Sequence, residues 1–258
     1  MSLLEVQNLT RTFGGVRAVD ELSFSVDSGA IHSVIGPNGA GKTTLFNLIT
    51  GVYKPTAGRI MFEGTDVTGM APSVLAGRGI SRTFQNLQIF FNMTARENVM
   101  VGRHRHLNSR VVPALFRLPS IVRADDKAWR MAGEILEYME LGKYADLESD
   151  QLPYSALKRL EIARAFATEP KMMLLDEPAA GLDRNEIREI DALIQRIAAS
   201  GVTVLLVEHD MKLVMAVSDH ILVLESGRKL AEGTAEEIRG NADVVTAYLG
   251  RATPSEAL

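Results

Sequence analysis

Cysteine is absent from the sequence, which excludes disulfide bonds, a cysteine nucleophile and iron–sulfur ligation. Histidine is scarce and scattered, which argues against a His-rich zinc site; the five histidines are His32, His104, His106, His209 and His220. No apolar run approaches the roughly 18 residues of a membrane-spanning helix. The first residues carry Glu5 and no basic cluster of the kind that begins a secretory signal. We therefore expect a chain that folds in the cytoplasm and reaches a membrane only through a partner.

An excess of basic residues is also missing. The 258 residues include 28 Lys and Arg against 32 Asp and Glu, so the net charge is −4 and nucleic acid is not expected as a partner. Hydrophobic residues make up 46% and charged residues 23%, which is ordinary for a folded globular protein. The length suits one large domain or one domain with a sizeable insert.

Short apolar runs alternate with helical patterns in the first and last thirds of the chain. In the first third the sequence predicts a helix from Lys42 to Thr50, ended by Gly51, and strands at 3–9, 23–26, 31–35 and 59–62. In the last third, the runs 171–175 and 202–207 are apolar without alternation, as in strands buried on both faces of a parallel sheet. A helix predicted at 184–199 separates them. This alternation predicts an α/β domain.

The middle of the chain, from about residue 94 to 150, has helical spacing instead. Residues 128–141 place Trp129 on one face with aliphatic residues, and we assign Trp129 and the pair Met172 and Met173 to the core. The segment 103–124 contains several arginines, two prolines and no acidic residue, and we interpret it as an irregular basic insert. Two interpretations stay open for its arginines: a solvated loop, or a contact with a membrane subunit or anionic lipid.

A glycine-rich motif is the strongest functional signal. It matches the pattern G-x-x-x-x-G-K-[ST] and comprises Gly36, Pro37, Asn38, Gly39, Ala40, Gly41, Lys42 and Thr43, with Thr44 next in the chain. The motif follows a predicted strand and opens a predicted helix, where backbone N–H groups and a helix N-terminus bind phosphate. We expect Lys42 to be an exposed residue that reaches the β- and γ-phosphates, and the Thr43 hydroxyl to ligate Mg²⁺. A plain glycine turn before a helix is the alternative.

A second motif places two acidic residues at the end of a predicted buried strand. Asp176 and Glu177 follow the apolar residues 172–175, at the strand end where open α/β sheets bind ligands. Asp176 is expected to hold Mg²⁺ through water, and Glu177 to accept a proton from an attacking water. A solvated acidic turn is the alternative, and the nearby phosphate motif makes it the weaker one.

The order of these motifs and of several smaller ones resembles the ATP-binding cassette family over essentially the whole chain. Gln85 in RTFQN is similar to the family's Q-loop, and Asp183 ends an AGLD segment similar to its D-loop. His209 in VEHDM looks like the switch histidine, and Phe13 in RTFGG like the adenine-stacking aromatic. No Asn-Lys-x-Asp motif, expected for a guanine-specific GTPase, is present.

Within that family the chain looks most like the ATP-binding subunit of branched-chain amino acid importers. This closer resemblance rests on the basic insert, on LEIARA at 160–165, on LLDEPAAGL at 174–182, on VEHDMKLVM at 207–215 and on residues 231–250. An exporter of the lipopolysaccharide type, and a nucleotide-dependent switch with little turnover, are the alternative functions.

The resemblance implies an α/β fold: a P-loop NTPase core, with a mixed sheet and an antiparallel N-terminal β subdomain, plus an inserted helical subdomain. The core is expected at about 1–92 and 166–250, the helical subdomain at 93–165 and a loose tail at 251–258. It also implies that two cassettes, identical or different, sandwich two ATP molecules head to tail. Their motion would drive two membrane-spanning permease subunits, with an external solute-binding protein as an indirect partner, so the cassette would be peripheral on the inner face of the membrane.

Residue roles follow from the same resemblance. Lys42 would stabilise the transferred charge, and Glu177 would be the general base. Mg²⁺ would be organised by Thr43, Gln85 and Asp176. His209 would sense or fix the γ-phosphate.

The family's signature, Leu-Ser-Gly-Gly-Gln, aligns with an altered segment. The aligned residues are Leu152, Pro153, Tyr154, Ser155 and Ala156. They are expected to face the nucleotide of the opposite copy. Ser155 stands at a family glycine, so its Cβ would crowd the phosphate, or strain the backbone if its φ is positive, while its hydroxyl offers a new donor.

Overall fold

The computed structural model describes residues 2–104 and 119–249, which form two sheets with surrounding helices. The strands are β1 Ser2–Phe13, β2 Val16–Asp27, β3 Ile31–Ile35, β4 Ala57–Phe62, β5 Thr65–Asp66, β6 Ile80–Arg82, β7 Met172–Asp176, β8 Thr203–Val207, β9 His220–Glu225 and β10 Arg228–Gly233. The α-helices in the described ranges are α1 Lys42–Ile49, α2 Pro72–Arg78, α3 Ala95–Gly102, α4 Pro119–Tyr138, α5 Tyr154–Phe166, α6 Arg184–Ala199, α7 Met211–Val217, α8 Ala235–Arg239 and α9 Ala242–Leu249.

The larger sheet carries the functional motifs. Its six strands lie in the order β10-β9-β3-β8-β7-β6, parallel except for β10, which pairs antiparallel with β9. Strands β3, β7 and β8 are buried along their whole length, which is why their sequences are apolar without alternation. Because parallel strands end at one edge, the residues that follow β3, β6, β7 and β8 meet there. The predicted mixed sheet is confirmed.

The smaller sheet is antiparallel, in the order β2-β1-β4-β5. Gly14 and Gly15 connect β1 to β2 with φ angles of 50° and 91°, as a tight two-residue hairpin requires. Both strands are longer than predicted, because their polar ends pair in the sheet without contributing an apolar signal. The core between this sheet and the larger one contains apolar residues of α1, such as Phe46. The helix that follows the glycine-rich motif is therefore fixed between both sheets.

Helices and turns fill the chain between β6 and β7 in the described ranges. Thr94 caps α3 in a capping box with Glu97, and buried Asn98 donates to the carbonyl oxygen of Phe90 and to the Ser149 hydroxyl. Helices α3, α4 and α5 contribute to one core cluster with β7 and α6. The division into a core and a helical subdomain at about residues 93 and 165 stays a prediction.

Two expectations for α4 are wrong. The helix begins at Pro119, so part of the supposedly irregular insert is helical; proline suits a helix start because its missing N–H would have no partner in the first turn. Trp129 is 45% exposed and is not a core residue. The buried face of α4 instead runs through Ala128, Ala132 and Leu136, and Met139 just after the helix is buried as well. Periodicity located the apolar stripe, but it could not show that Trp129 lies at its uncovered margin.

The basic insert also differs from expectation at Arg103. Its side chain is only 5% exposed and pairs with Glu169 at 3.0 Å, so Arg103 belongs to the folded structure and not to a solvated loop. The remaining arginines of 105–118 and the predicted tail 251–258 lie outside the described residues. Met172 and Met173 are fully buried, as predicted.

Candidate functional site

The glycine-rich motif forms the loop between β3 and α1. Gly36 and Gly41 have φ angles of 149° and 103°, which favour glycine. A Cβ atom at either position would collide with a backbone carbonyl oxygen, that of Leu224 or of Ala18 respectively. Helix α1 begins at Lys42 and has no side-chain cap. Its first N–H groups therefore point to a site for an anion, as the motif predicts.

Lys42 is buried, which differs from the expectation of an exposed residue. It is 7% exposed, and its Nζ donates to the carbonyl oxygens of Gly36 at 2.6 Å and Pro37 at 3.1 Å. Burial lowers the pKa of Lys42, while the carboxylates of Glu177 and Asp176 act in the opposite direction. The loop thus holds the ammonium group in place, and an entering phosphate would replace carbonyl oxygens as its partner.

Glu177 lines a cavity of about 280 Å³ above this loop, together with Gln85 and His209. Its Oε2 accepts a hydrogen bond from Gln85 Nε2 at 3.1 Å, and its Oε1 lies 2.5 Å from His209 Nε2. Glu177 has a φ of 50°, in the left-handed region that costs a non-glycine residue about 1–2 kcal/mol. The structure therefore brings together the predicted base, Q-loop glutamine and switch histidine. The rest of the lining is Ala18 and 38–44.

Asp176 lies beside this cavity and is buried. Its Oδ2 accepts a hydrogen bond from Arg82 Nη2 at 2.8 Å, and its N–H donates to the Thr83 hydroxyl at 3.2 Å. The expected ligands Thr43, Gln85 and Asp176 offer a hydroxyl, an amide and a carboxylate, which is the oxygen chemistry that Mg²⁺ prefers. The described ranges contain no group of three or more His, Cys, Asp or Glu that could hold a metal ion. The donor set thus fits Mg²⁺ bound jointly with phosphate oxygens.

Phe13 lies at the end of β1 and is not among the cavity-lining residues. Its ring is 38% exposed and meets Tyr53 edge-on, with the centroids 5.3 Å apart. The guanidinium carbon of Arg11 lies 4.4 Å from the centroid of the Phe13 ring. Stacking of an adenine on Phe13 stays a prediction, and it would have to share the ring with this cation.

The signature segment opens α5 and does not line the cavity of its own chain. Pro153 is the N-cap of α5. The side chain of Tyr154 is exposed, and its hydroxyl donates a hydrogen bond to the carbonyl oxygen of Ala180 at 3.4 Å. Ser155 lies in the first turn without a positive φ, so the strain considered for it is absent, and only crowding and hydrogen bonding remain. Ala156 is fully buried, so its side chain cannot reach a nucleotide.

Asp183 caps helix α6. Its carboxylate accepts hydrogen bonds from the N–H groups of Asn185 at 2.8 Å and Glu186 at 3.0 Å, and Glu186 returns a bond to the Asp183 N–H. This capping box gives Asp183 a structural role within its own chain. Its expected role beside the nucleotide stays a prediction.

Two buried carboxylates near the site were missed by the sequence reasoning. Glu208 is 4% exposed and accepts hydrogen bonds from the N–H groups of Ala179 and His209, both at 2.8 Å. Burial raises its pKa. The available signal was the position of Glu208 directly after the apolar residues of LLVEH. An acid there is expected to be buried, and a buried carboxylate needs hydrogen-bond donors.

The second of these carboxylates is Glu161 on α5, which is 3% exposed. Its Oε1 accepts from the N–H groups of Phe84 and Gln88, on either side of Gln85, at 3.3 and 3.4 Å. Burial raises the pKa of Glu161 as well. The signature helix is thus attached to the loop that carries Gln85.

Comparison with known proteins agrees with this geometry. A family profile described as ABC transporter matches residues 19–180, and one described as branched-chain amino acid ATP-binding cassette transporter matches residues 228–253. The chain is 47% identical over 251 residues to the high-affinity branched-chain amino acid transport ATP-binding protein BraF of Pseudomonas aeruginosa, covering 97% of this chain and 98% of that protein.

Solved structures give the same result. The ADP conformation of an ATP-binding cassette of an ABC transporter has a TM-score of 0.85 and 35% identity, over 97% of this chain and 100% of that chain. A dimeric cassette in a post-hydrolysis state, bound to ADP and Pi, has a TM-score of 0.73 and 25% identity, over 90% and 98% of the two chains. With its phosphate loop and its Gln85–Glu177–His209 cluster, the chain belongs to the ABC transporter family, as an ATP-hydrolysing cassette.

Proposed function

We propose that this chain powers an importer of branched-chain amino acids, from the cytoplasmic face of a membrane and through two permease subunits. The observation that carries the proposal is the Glu177 carboxylate, which Gln85 and His209 hold above the phosphate loop. The amino acid class is supported by the C-terminal family match and by the name of the relative from Pseudomonas. Within residues 2–104 and 119–249, no helix combines the length and the apolar character of a membrane span.

The geometry supports hydrolysis by positioning and electrostatics. The triphosphate binds to the loop N–H groups and the N-terminus of α1, with Lys42 at its terminal phosphates. Thr43, Gln85 and Asp176 would hold Mg²⁺, which would supply positive charge beside the phosphates. Glu177 accepts a proton from water as the water oxygen attacks the γ-phosphorus and the bond to the β,γ-bridging oxygen breaks, which leaves ADP and phosphate. His209 fixes the γ-phosphate.

A second cassette completes the site in this proposal. The start of the signature segment, Pro153 and Tyr154, is exposed and lies outside the cavity of its own chain, which is the placement expected if it faces the nucleotide of another copy. A solved relative is dimeric in the presence of ADP and Pi. The second cassette is either another copy of this chain or a different cassette.

The surface for a permease helix is a cleft beside the Gln85 loop. Exposed apolar side chains flank it, notably Val52 at 50%, Val74 at 47% and Phe84 at 44%. Val52 and Phe84 line a cavity of about 190 Å³ between α1, α2 and β6. A helix that binds in this cleft would contact Phe84. The next residue in the chain is Gln85, which donates a hydrogen bond to Glu177. That continuity with the catalytic cluster is the reason we assign the cleft to the permease.

Two variants test the catalytic assignment. Lys42→Ala should abolish ATP and ADP binding without unfolding the chain. Glu177→Gln should keep ATP bound, because an amide retains size and hydrogen bonding, but should slow hydrolysis by at least about 100-fold, since the proton acceptor is lost. The measurements are nucleotide binding by calorimetry and phosphate release by the transporter assembled in lipid.

Glu186→Gln is the matched control, because glutamine serves a capping box as well as glutamate does. It should leave both binding and hydrolysis unchanged. ATP binding without measurable phosphate release in the parent protein would instead favour the low-turnover switch. Hydrolysis that responds to lipid substrates, and not to leucine with its binding protein, would favour the exporter.

A further inference from the structure

Arg82 is a buried cation that the proposed reaction does not use. It ends β6, the edge strand beside β7, and its side chain is 8% exposed. Its guanidinium donates to Asp176 Oδ2 at 2.8 Å, to Asn47 Oδ1 at 2.6 Å and to Thr50 Oγ1 at 3.3 Å. One side chain therefore joins the acid at the end of β7 to Asn47 of α1 and to Thr50, the C-cap of that helix.

The surroundings of Arg82 restrict the guanidinium to this position. The rings of Phe46 and Phe84 lie 5.6 and 5.0 Å from its central carbon. Its Nε is buried and has no hydrogen-bond partner. A buried cation is costly unless it is paired, so the contacts with Asp176 and Asn47 determine where the group stays. Removing the arginine would leave the Asp176 carboxylate buried without its cation.

The contacts of Arg82 reach one expected Mg²⁺ ligand, Asp176, directly and a second, Thr43, through helix α1. Thr43 lies in the first turn of α1, the helix that Arg82 holds through Asn47 and Thr50. Gln85 follows Arg82 by three residues in the chain.

We propose that Arg82 is a positioning residue for the Mg²⁺ site: it holds one oxygen of Asp176 and fixes the carboxylate relative to α1. This inference rests on the proposed function, because it assumes that Asp176 serves Mg²⁺ with ATP. It differs from a plain structural salt bridge, which would affect stability but not the metal dependence of nucleotide binding. Outer partners of metal ligands commonly change metal affinity by about 10- to 100-fold when they are removed.

The test compares Arg82→Met and Arg82→Lys with the parent subunit. ATP affinity is measured in EDTA and then during a Mg²⁺ titration. In EDTA all three proteins should bind ATP within about twofold, because the phosphate loop is intact. The Mg²⁺ midpoint is the Mg²⁺ concentration that gives half of the full change in ATP affinity. It should rise by about 10- to 100-fold in Arg82→Met. It should rise less in Arg82→Lys, which keeps the charge but cannot span Asp176 and Asn47 in the same way.

Arg103→Met is the matched control, because Arg103 is an equally buried, ion-paired arginine whose partner, Glu169, is not an expected Mg²⁺ ligand. It should lower the melting temperature without moving the Mg²⁺ midpoint. A second check combines Arg82→Met with Asp176→Asn: if Arg82 acts through Asp176, the double variant should show no further loss of Mg²⁺ response than Asp176→Asn alone.

An unchanged Mg²⁺ midpoint in folded Arg82→Met, or in Arg82→Lys if the methionine variant does not fold, would overturn the proposal. Fully additive losses in the double variant would overturn it too. Failure of the proposed function is distinguishable, because it is read from the parent alone: a parent that shows no Mg²⁺-dependent ATP binding, or no phosphate release, fails the proposed function whatever the Arg82 variants do.

Discussion

Glu208 should contribute to stability as well as to the site, and Glu208→Ala tests this. Its buried carboxylate accepts two hydrogen bonds at 2.8 Å, from the N–H groups of Ala179 and His209. These two segments follow β7 and β8, so Glu208 connects the chain after Glu177 to the chain that carries His209. The variant would leave these two N–H groups, and the more distant N–H of Asp210 at 3.5 Å, without this acceptor.

The expected loss follows from these contacts. A hydrogen bond to a charged acceptor contributes about 1.5–3 kcal/mol, so two bonds contribute about 3–6 kcal/mol. The raised pKa of Glu208 shows that burial costs the ionised carboxylate more than these hydrogen bonds return. The loss in Glu208→Ala therefore comes from the buried N–H groups that lose their acceptor, at about 1–3 kcal/mol each. We expect a net loss of about 2–4 kcal/mol. At about 2–4 °C per kcal/mol for a chain of this size, the melting temperature should fall by about 5–15 °C.

Glu97→Ala is the control in thermal unfolding followed by circular dichroism. Glu97 also accepts a backbone N–H bond at 2.8 Å, from Thr94, but it is exposed, so its loss should cost only about 0.5–1 kcal/mol. Glu208→Gln keeps one acceptor oxygen, so its loss of melting temperature should lie between those of Glu208→Ala and Glu97→Ala. If Glu208→Ala melts within about 2 °C of the parent, the two bonds carry no net stability and the reasoning is refuted.

Two further predictions concern pH and assembly. Burial lowers the pKa of His32 to about 4; because an unfolded histidine binds its proton near pH 6.5, stability should fall by up to about 3 kcal/mol as the pH drops from 6.5 towards 4. Urea denaturation at pH 7 and pH 4.5 measures this change in the free energy of unfolding, and the change should be smaller in His32→Phe. An equal change in parent and variant would show that His32 is not its source. Val52→Glu should weaken copurification with the permease subunits and leave ATP binding unchanged. Val245→Glu, which alters another exposed valine, should leave both unchanged. Equal copurification of the two variants would show that the cleft does not contact the permease.

The phosphate loop and the acidic strand end were predictable because each is a local pattern. Short motifs contain Gly36, Lys42 and Asp176, and the strands before these motifs are apolar. The residue types and their spacing in each motif indicate its chemistry. The parallel order of the sheet then requires these motifs to meet at one edge. The burial of Lys42 was not predictable, since it depends on carbonyl oxygens of the loop that face its ammonium group only after folding.

The supporting contacts could not be predicted, because they join residues that are distant in the sequence. Arg82 and Asp176 are 94 residues apart, and Ala179 and Glu208 are 29 apart. Neither pair belongs to a repeating pattern that a single sequence displays. Trp129 shows a different limit: helical periodicity places it beside the apolar stripe, but whether a neighbouring element covers it depends on tertiary packing.

The position of β3 in the larger sheet has a consequence for biosynthesis. The strand that delivers the phosphate loop is hydrogen-bonded on both sides by strands made much later, β8 and β9. Gly36 itself packs against Leu224 in β9. A chain made from its N-terminus therefore contains the complete nucleotide motif long before that motif has its neighbours. A nascent chain that stops before residue 203 carries the motif without either strand that flanks β3, so we expect it to lack a formed phosphate loop.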